Sequence, residues 1–148
     1  MNKEVKSICF VCTANYCRSP VAEMLLRAKY KNSINVSSAG LRPMVISGMD
    51  PRSLSFLKKN KIPYSVHNPK KIDVDLFKLS NVVFAMDTIV LMQLNKFYKK
   101  YRNKLRLVSF QHRNINIVDP YNLPQKKYEN VMENIKFVID NLSLEETI

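Results

Sequence analysis

Long apolar runs are missing from this sequence: none approaches the ~18 residues that a membrane-spanning helix needs. The charged opening MNKEVKS leads into only a short apolar stretch, unlike a secretory leader. Both absences point to a cytoplasmic protein with no membrane partner. Disulfide staples are missing too. The three cysteines, Cys9, Cys12 and Cys17, crowd into one short stretch, where a bridge would close a trivially small loop, so their role is packing or chemistry. Acidic residues are scarce, 12 against 24 Lys and Arg, for a net charge of +12. That excess favours anionic partners and speeds encounter with them. The bases are scattered, however (Lys58, Lys59, Lys61; Lys70, Lys71; Lys99, Lys100; Lys126, Lys127), as solvated helix ends and faces would be. No zinc-finger or RNA-recognition motif accompanies them, which argues against nucleic acid as a partner. Linkers, low-complexity tracts and repeats are absent as well, so residues 1–148 read as a single domain, long enough to bury a core.

What is present is an alternation of apolar runs and helical periods. Val5 to Val11 reads as a buried strand, and Val21, Met24, Leu25 and Ala28 then follow the i, i+3, i+4, i+7 spacing of one helix face. Asn35 to Ser38 is a short strand, ended by Ala39-Gly40. Pro51 to Lys59 is a helix, opened by Asp50 as cap and Pro51 as first residue. The order then repeats. Residues 81 to 86 (NVVFAM) form a strand, Ile89 to Tyr101 a helix, and 104 to 110 (KLRLVSF) a fourth strand. Tyr128, Val131, Met132, Ile135, Val138, Ile139 and Leu142 mark a final amphipathic helix. Strands alternating with helices imply an α/β three-layer sandwich, with a central four-stranded parallel sheet and helices on both faces. Ligands bind such sheets beyond the carboxyl ends of the strands.

Cys12 stands at such an end, in FVCTANYCRSPVAEMLL (10 to 26). A loop running from a strand into a helix N-terminus turns successive backbone N–H groups inward and adds the positive end of the helix dipole, which makes a cradle for a tetrahedral oxyanion. Pro20 fits a first helical position, so Arg18 lies at the mouth of the helix. Its guanidinium can grip two oxygens, and the same field favours a thiolate at Cys12. A Cys six residues before an Arg is weak evidence alone, since a buried cysteine and a surface arginine would look the same. The context lifts it: a strand end, a Ser-Pro helix start, and Asn15, which tolerates left-handed backbone.

The stretch VCTANYCRSPVAEMLL resembles the signature of the low-molecular-weight protein tyrosine phosphatases, V-C-x-G-N-x-C-R-S-P followed by a helix. The likeness continues through VSSAG (36 to 40), KIPYSVHNPK (61 to 70), NVVFAMD (81 to 87) and VDPY (118 to 121), nearly the whole chain. It implies a phosphorylated protein substrate, hydrolysed through a thiophosphoryl-cysteine, with no metal or cofactor. Cys12 would be the nucleophile, Arg18 the clamp and Asp119 the general acid. The phosphate would be bound by Thr13, Ala14, Asn15, Tyr16, Cys17 and Arg18. Asn15, Ser19, Ser38 and His67 would form the supporting polar network, with the Ser19 hydroxyl facing the sulfur. Taken alone, His67 also reads as a solvated loop residue and Asp119 as a turn starter before Pro120.

The departures bear on substrate. Ala14 replaces the loop glycine, which predicts negative φ there, because positive φ would cost an alanine ~1 to 2 kcal/mol. Tyr16 occupies the variable loop position that is often Ile in tyrosine phosphatases and Thr in related protein arginine phosphatases. The segment Leu41-Arg42-Pro43-Met44 lacks the frequent aromatic wall, and Asn122 replaces a second aromatic, leaving Tyr16, Met44 and Tyr121 as the cleft wall. Phosphotyrosine is the leading substrate, with a protein arginine phosphatase as the alternative. A thiol-dependent arsenate reductase would need further cysteines downstream, and none follows Cys17. Cys17 resembles the family's second loop cysteine, which traps the oxidised nucleophile as a disulfide; it also reads as a small buried residue. Cys9, three residues from Cys12 in a strand, should point to the opposite face.

Overall fold

The computed structural model describes residues 6–113 and 115–145. Strand β1 (Ser7–Cys12) runs into helix α1 (Ser19–Lys29), followed by β2 (Asn35–Gly40), α2 (Pro51–Lys59), α3 (Val74–Leu79), β3 (Val82–Ala85), α4 (Thr88–Phe97), β4 (Leu105–Leu107) and α5 (Gln125–Asp140). The four strands form one parallel sheet in the order β2-β1-β3-β4. Val5, at the start of the expected first strand, lies outside the described residues.

Strand periodicity builds the three layers. Ile8, Phe10 and Cys12 of β1, with Val82 and Phe84 of β3, face the larger core shared with α1, α2 and α5. The alternate residues Cys9, Val11, Val83 and Ala85 face a second core with Phe77 of α3 and Val90 and Leu94 of α4. Both faces are therefore apolar and covered, as parallel sheets require. Cys9 and Cys12 stand on opposite faces, as their spacing predicts. Among the described residues no helix is long and apolar enough to cross a membrane.

Three elements differ from expectation. Helix α3 has no counterpart in the sequence reading, because six residues are too few to display a period; only its cap, Asp73, whose side chain accepts from the Leu76 N–H, marks it. The helix expected over 89–101 stops at Phe97. Tyr98 leaves helical backbone (φ −127°, ψ 49°), and a 3₁₀ turn follows over Lys99–Lys104. That break lets Tyr98 and Tyr101 both pack on Phe77, with ring centroids 4.7 and 5.2 Å away. The fourth strand keeps only Leu105–Leu107, because its single neighbour β3 ends at Ala85, and Val108 adds one last bond to the Ala85 carbonyl.

The chain passes from β1 to β2 on one side and reaches β3 on the other. The crevice beyond the carboxyl ends of β1 and β3 is therefore a topological switch point. Cys12 ends β1 and Asp87 follows β3, so both sit at that crevice.

Candidate active site

Every carbonyl from Cys12 to Arg18 is held by a donor on the far side. Leu41 N–H donates to Cys12 O, Arg42 N–H to Thr13 O, Met44 N–H to Ala14 O and Asp50 N–H to Tyr16 O, at 2.8 to 3.1 Å. His67 Nε2 lies 2.7 Å from Asn15 O, the Ser53 hydroxyl 2.8 Å from Cys17 O, and Ala22 N–H bonds Arg18 O. In a planar trans peptide the next N–H points opposite to the carbonyl. Carbonyls pinned outward therefore turn the N–H groups of residues 13–18 toward the inside of the loop. The chain makes this bend at Asn15, the loop's one left-handed residue (φ +52°). Ala14 is not left-handed, so alanine is accommodated without strain. Gly40 is required by proximity rather than by φ: a Cβ there would stand 2.8 Å from Asn15 N and 2.9 Å from Thr13 O, inside contact distance of the loop backbone.

Arg18 is the N-cap residue of α1, with no side chain capping the helix and Pro20 in its first turn. The helix thus offers uncapped N–H groups to the crevice. The Arg18 guanidinium is buried. Its Nη1 bonds Asp87 Oδ2 at 2.6 Å and Ile117 O at 2.9 Å, while Nε and Nη2 bond no described residue and remain for an anion. Burial works against its charge, but the facing Cys12 sulfur and the Asp87 carboxylate outweigh that and raise its pKa above the ordinary guanidinium value.

Behind the loop lies a buried polar network, most of whose donor directions follow from one backbone bond. Lys70 N–H donates to Asn15 Oδ1 at 3.0 Å, so the Asn15 amide NH₂ must face the other way, where it reaches Ser19 Oγ and Ser38 Oγ, both at 2.9 Å. Ser38 gives its hydrogen to Glu23 Oε1 at 2.6 Å, and Glu23 is paired with Arg27. Ser19 accepts from Asn15 and stands 3.0 Å from Cys12 Sγ, much nearer than the Ala39 carbonyl at 3.5 Å, so it can direct its hydrogen at a sulfur anion. The carbonyl of Asn15 accepts only, so His67 carries its proton on Nε2.

A pocket of about 80 Å³ opens above the loop, lined by Cys12, Ala14, Tyr16, Cys17, Arg18, Met44, Asp119 and Tyr121. Cys12 is at its base and Asp119, exposed, at its rim. Tyr121 meets Tyr16 edge-on, with ring centroids 6.2 Å apart. Of the expected phosphate-binding residues, Thr13 and Asn15 are not among those lining the pocket, and the Asn15 side chain turns instead into the network behind the loop. Cys17 is nearly buried, its thiol directed to Asp50 Oδ2 at 3.8 Å; burial pushes it up to about 12, against the opposing effect of the Tyr128 hydroxyl. Residues missed in the sequence are Glu23, Gly40, Asp50 in any role beyond helix cap, Arg52 and Asp87. A signal existed for Glu23, a carboxylate on the buried side of an amphipathic helix. Another existed for Gly40, because the chain has only two glycines.

Residues 7–147 match the sequence model of a family described as low molecular weight phosphotyrosine protein phosphatase. The low molecular weight protein-tyrosine-phosphatase Wzb of Escherichia coli K12 is 30% identical over 115 residues, 78% of either chain. Among solved structures, the tyrosine phosphatase Wzb from Escherichia coli K30, in complex with sulphate, superposes with a TM-score of 0.85 at 26% identity, covering 93% of this chain and 95% of that one. The YwlE arginine phosphatase from Geobacillus stearothermophilus reaches a TM-score of 0.84 at 24% identity, over 95% and 92%, a likeness of fold.

Proposed function

This chain belongs to the low molecular weight phosphotyrosine protein phosphatase family, and on that premise we propose that it hydrolyses phosphotyrosine in proteins through a thiophosphoryl-cysteine. The observation that carries this reading is the convergence of Cys12, Arg18 and Asp119 on one pocket, beneath two tyrosine rings and Met44. The Cys12 thiolate attacks phosphorus in line; the P–S bond forms as the ester P–O bond breaks, and Asp119 gives its proton to the departing phenolic oxygen. Water then attacks phosphorus, Asp119 takes its proton, and the P–S bond breaks to return the thiolate and release phosphate. The inward N–H groups and the Nε and Nη2 edge of Arg18 hold the equatorial oxygens throughout, where most catalysis of phosphoryl transfer lies. The Ser19 hydroxyl stabilises the sulfur anion at both stages. The scheme takes no cofactor, and a cytoplasmic location suits its reduced thiols.

Phosphotyrosine is favoured over phosphoarginine because the walls are aromatic and apolar: a phenyl ring buries more apolar surface against them, and ring–ring contact adds ~1 kcal/mol beyond that burial. Phosphotyrosine peptides should therefore turn over several-fold faster than phosphoarginine peptides of the same sequence. The reverse order makes the chain a protein arginine phosphatase. Failure on both, and on p-nitrophenyl phosphate, leaves only an oxyanion-binding module.

Cys17 is proposed as the thiol that traps peroxide-oxidised Cys12, its S–H and the sulfenic acid giving a disulfide and water. With its thiol at about 12, the reactive thiolate fraction should rise about tenfold per pH unit below that value. Mass spectrometry after peroxide at pH 6 and pH 8 should show the Cys12–Cys17 disulfide gaining on Cys12 sulfinic acid as pH rises. A partition independent of pH, or a Cys9 partner, refutes it.

A further inference from the structure

Arg52, in the first turn of α2, is only partly buried yet directs its guanidinium inward. Nε and Nη2 hold the two oxygens of Asp50 at 3.1 and 2.9 Å, Nη1 reaches the Leu123 carbonyl at 2.9 Å, and Nη2 also reaches the Tyr121 carbonyl at 2.9 Å. The guanidinium lies over the Tyr128 ring, 4.0 Å from its centroid, which fixes the plane in which those bonds are made.

The two carbonyls belong to the loop of residues 118–124, which has no strand or helix of its own. Among the described residues Asp119 is oriented by one bond, from the Tyr121 N–H to Oδ1 at 3.1 Å. Tyr121 is thus tied to Asp119 through its N–H and to Arg52 through its carbonyl. Asp50, the other end of the ion pair, is buried and belongs to the nucleophile side: its N–H bonds the Tyr16 carbonyl at 3.0 Å and its carboxylate accepts the Cys17 thiol. Two loops about a hundred residues apart in sequence, one bearing Cys12 and one bearing Asp119, are bridged by this pair, which adds to the Arg18 bond to the Ile117 carbonyl and the Tyr16–Tyr121 ring contact.

We infer that Arg52 is a positioning residue: anchored by Asp50 against the nucleophile loop, it fixes the 118–124 loop so that Asp119 and Tyr121 stand over Cys12. This rests on the phosphatase reading above. Lysine cannot replace it, because an ammonium on a flexible stem cannot reach two carbonyls and a carboxylate in one plane. A misplaced acid matters in proportion to how much the leaving group needs a proton.

The test compares phenyl phosphate, whose leaving group needs that proton, with p-nitrophenyl phosphate, whose leaving group hardly does. Arg52→Lys and Arg52→Gln should lose kcat on phenyl phosphate by about tenfold or more beyond any loss on p-nitrophenyl phosphate. Inhibition by inorganic phosphate should stay within about threefold of wild type. Asp119→Asn combined with Arg52→Lys should lose little more on phenyl phosphate than Asp119→Asn alone, because the acid being positioned is gone. Equal proportional losses on the two esters, or additive losses in the double variant, overturn the positioning role and leave Arg52 a stabiliser of the fold. Wild type inactive on both esters overturns the phosphatase reading and this inference with it.

Discussion

Replacing Cys12 with serine is expected to lower turnover on the order of a thousandfold or more, to background in a steady-state assay, while phosphate still binds. A serine hydroxyl in the same place stays protonated near neutral pH, and its oxygen is a poor partner for the second half of the reaction, when the bond to phosphorus must break. Nothing that holds the anion is removed. The N–H groups of residues 13–18 are turned inward by six carbonyl bonds, none of which involves the sulfur, and Arg18 keeps its Asp87 and Ile117 partners. Losing the negative sulfur opposite a phosphate should, if anything, tighten binding. Calorimetric titration with inorganic phosphate, beside turnover of p-nitrophenyl phosphate, reads both quantities. A serine variant keeping more than a few per cent of activity would sink the covalent mechanism, and one that no longer binds phosphate would mean that the sulfur organises the loop.

Asp119→Asn should slow phenyl phosphate by about 10² to 10³-fold and p-nitrophenyl phosphate far less. The geometry makes this a clean substitution. Asp119 Oδ1 accepts from the Tyr121 N–H, and asparagine can keep that bond with its carbonyl oxygen, so the side chain stays in place without a transferable proton. Asp119 is also exposed at the pocket rim, so no buried partner is orphaned by the change. Equal losses on the two esters would make Asp119 a turn former before Pro120 and nothing more.

Much of this protein is legible in order along the chain. The strand-loop-helix at residues 7–29 is local: a continuous apolar run, a left-handed Asn15 and a Ser-Pro helix start specify it over a short length of chain. The Asp50-Pro51 start of α2 and the buried face of α5 are equally local. These settle the α/β class, the parallel sheet and the corner at which Cys12 sits, because period and capping act over a few residues. What the sequence could not decide is which distant groups complete that corner. Asp87 reaches Arg18 across 69 residues and Arg52 reaches Leu123 across 71, and no local pattern singles out those partners. The same holds for Gly40, whose missing side chain matters only because β2 brings it against the backbone of residues 13–15. Residue type and short-range period determined where Cys12 stands; strand order and packing alone decided which carboxylates, carbonyls and ring edges surround it, because those contacts exist only after loops far apart in the chain have met.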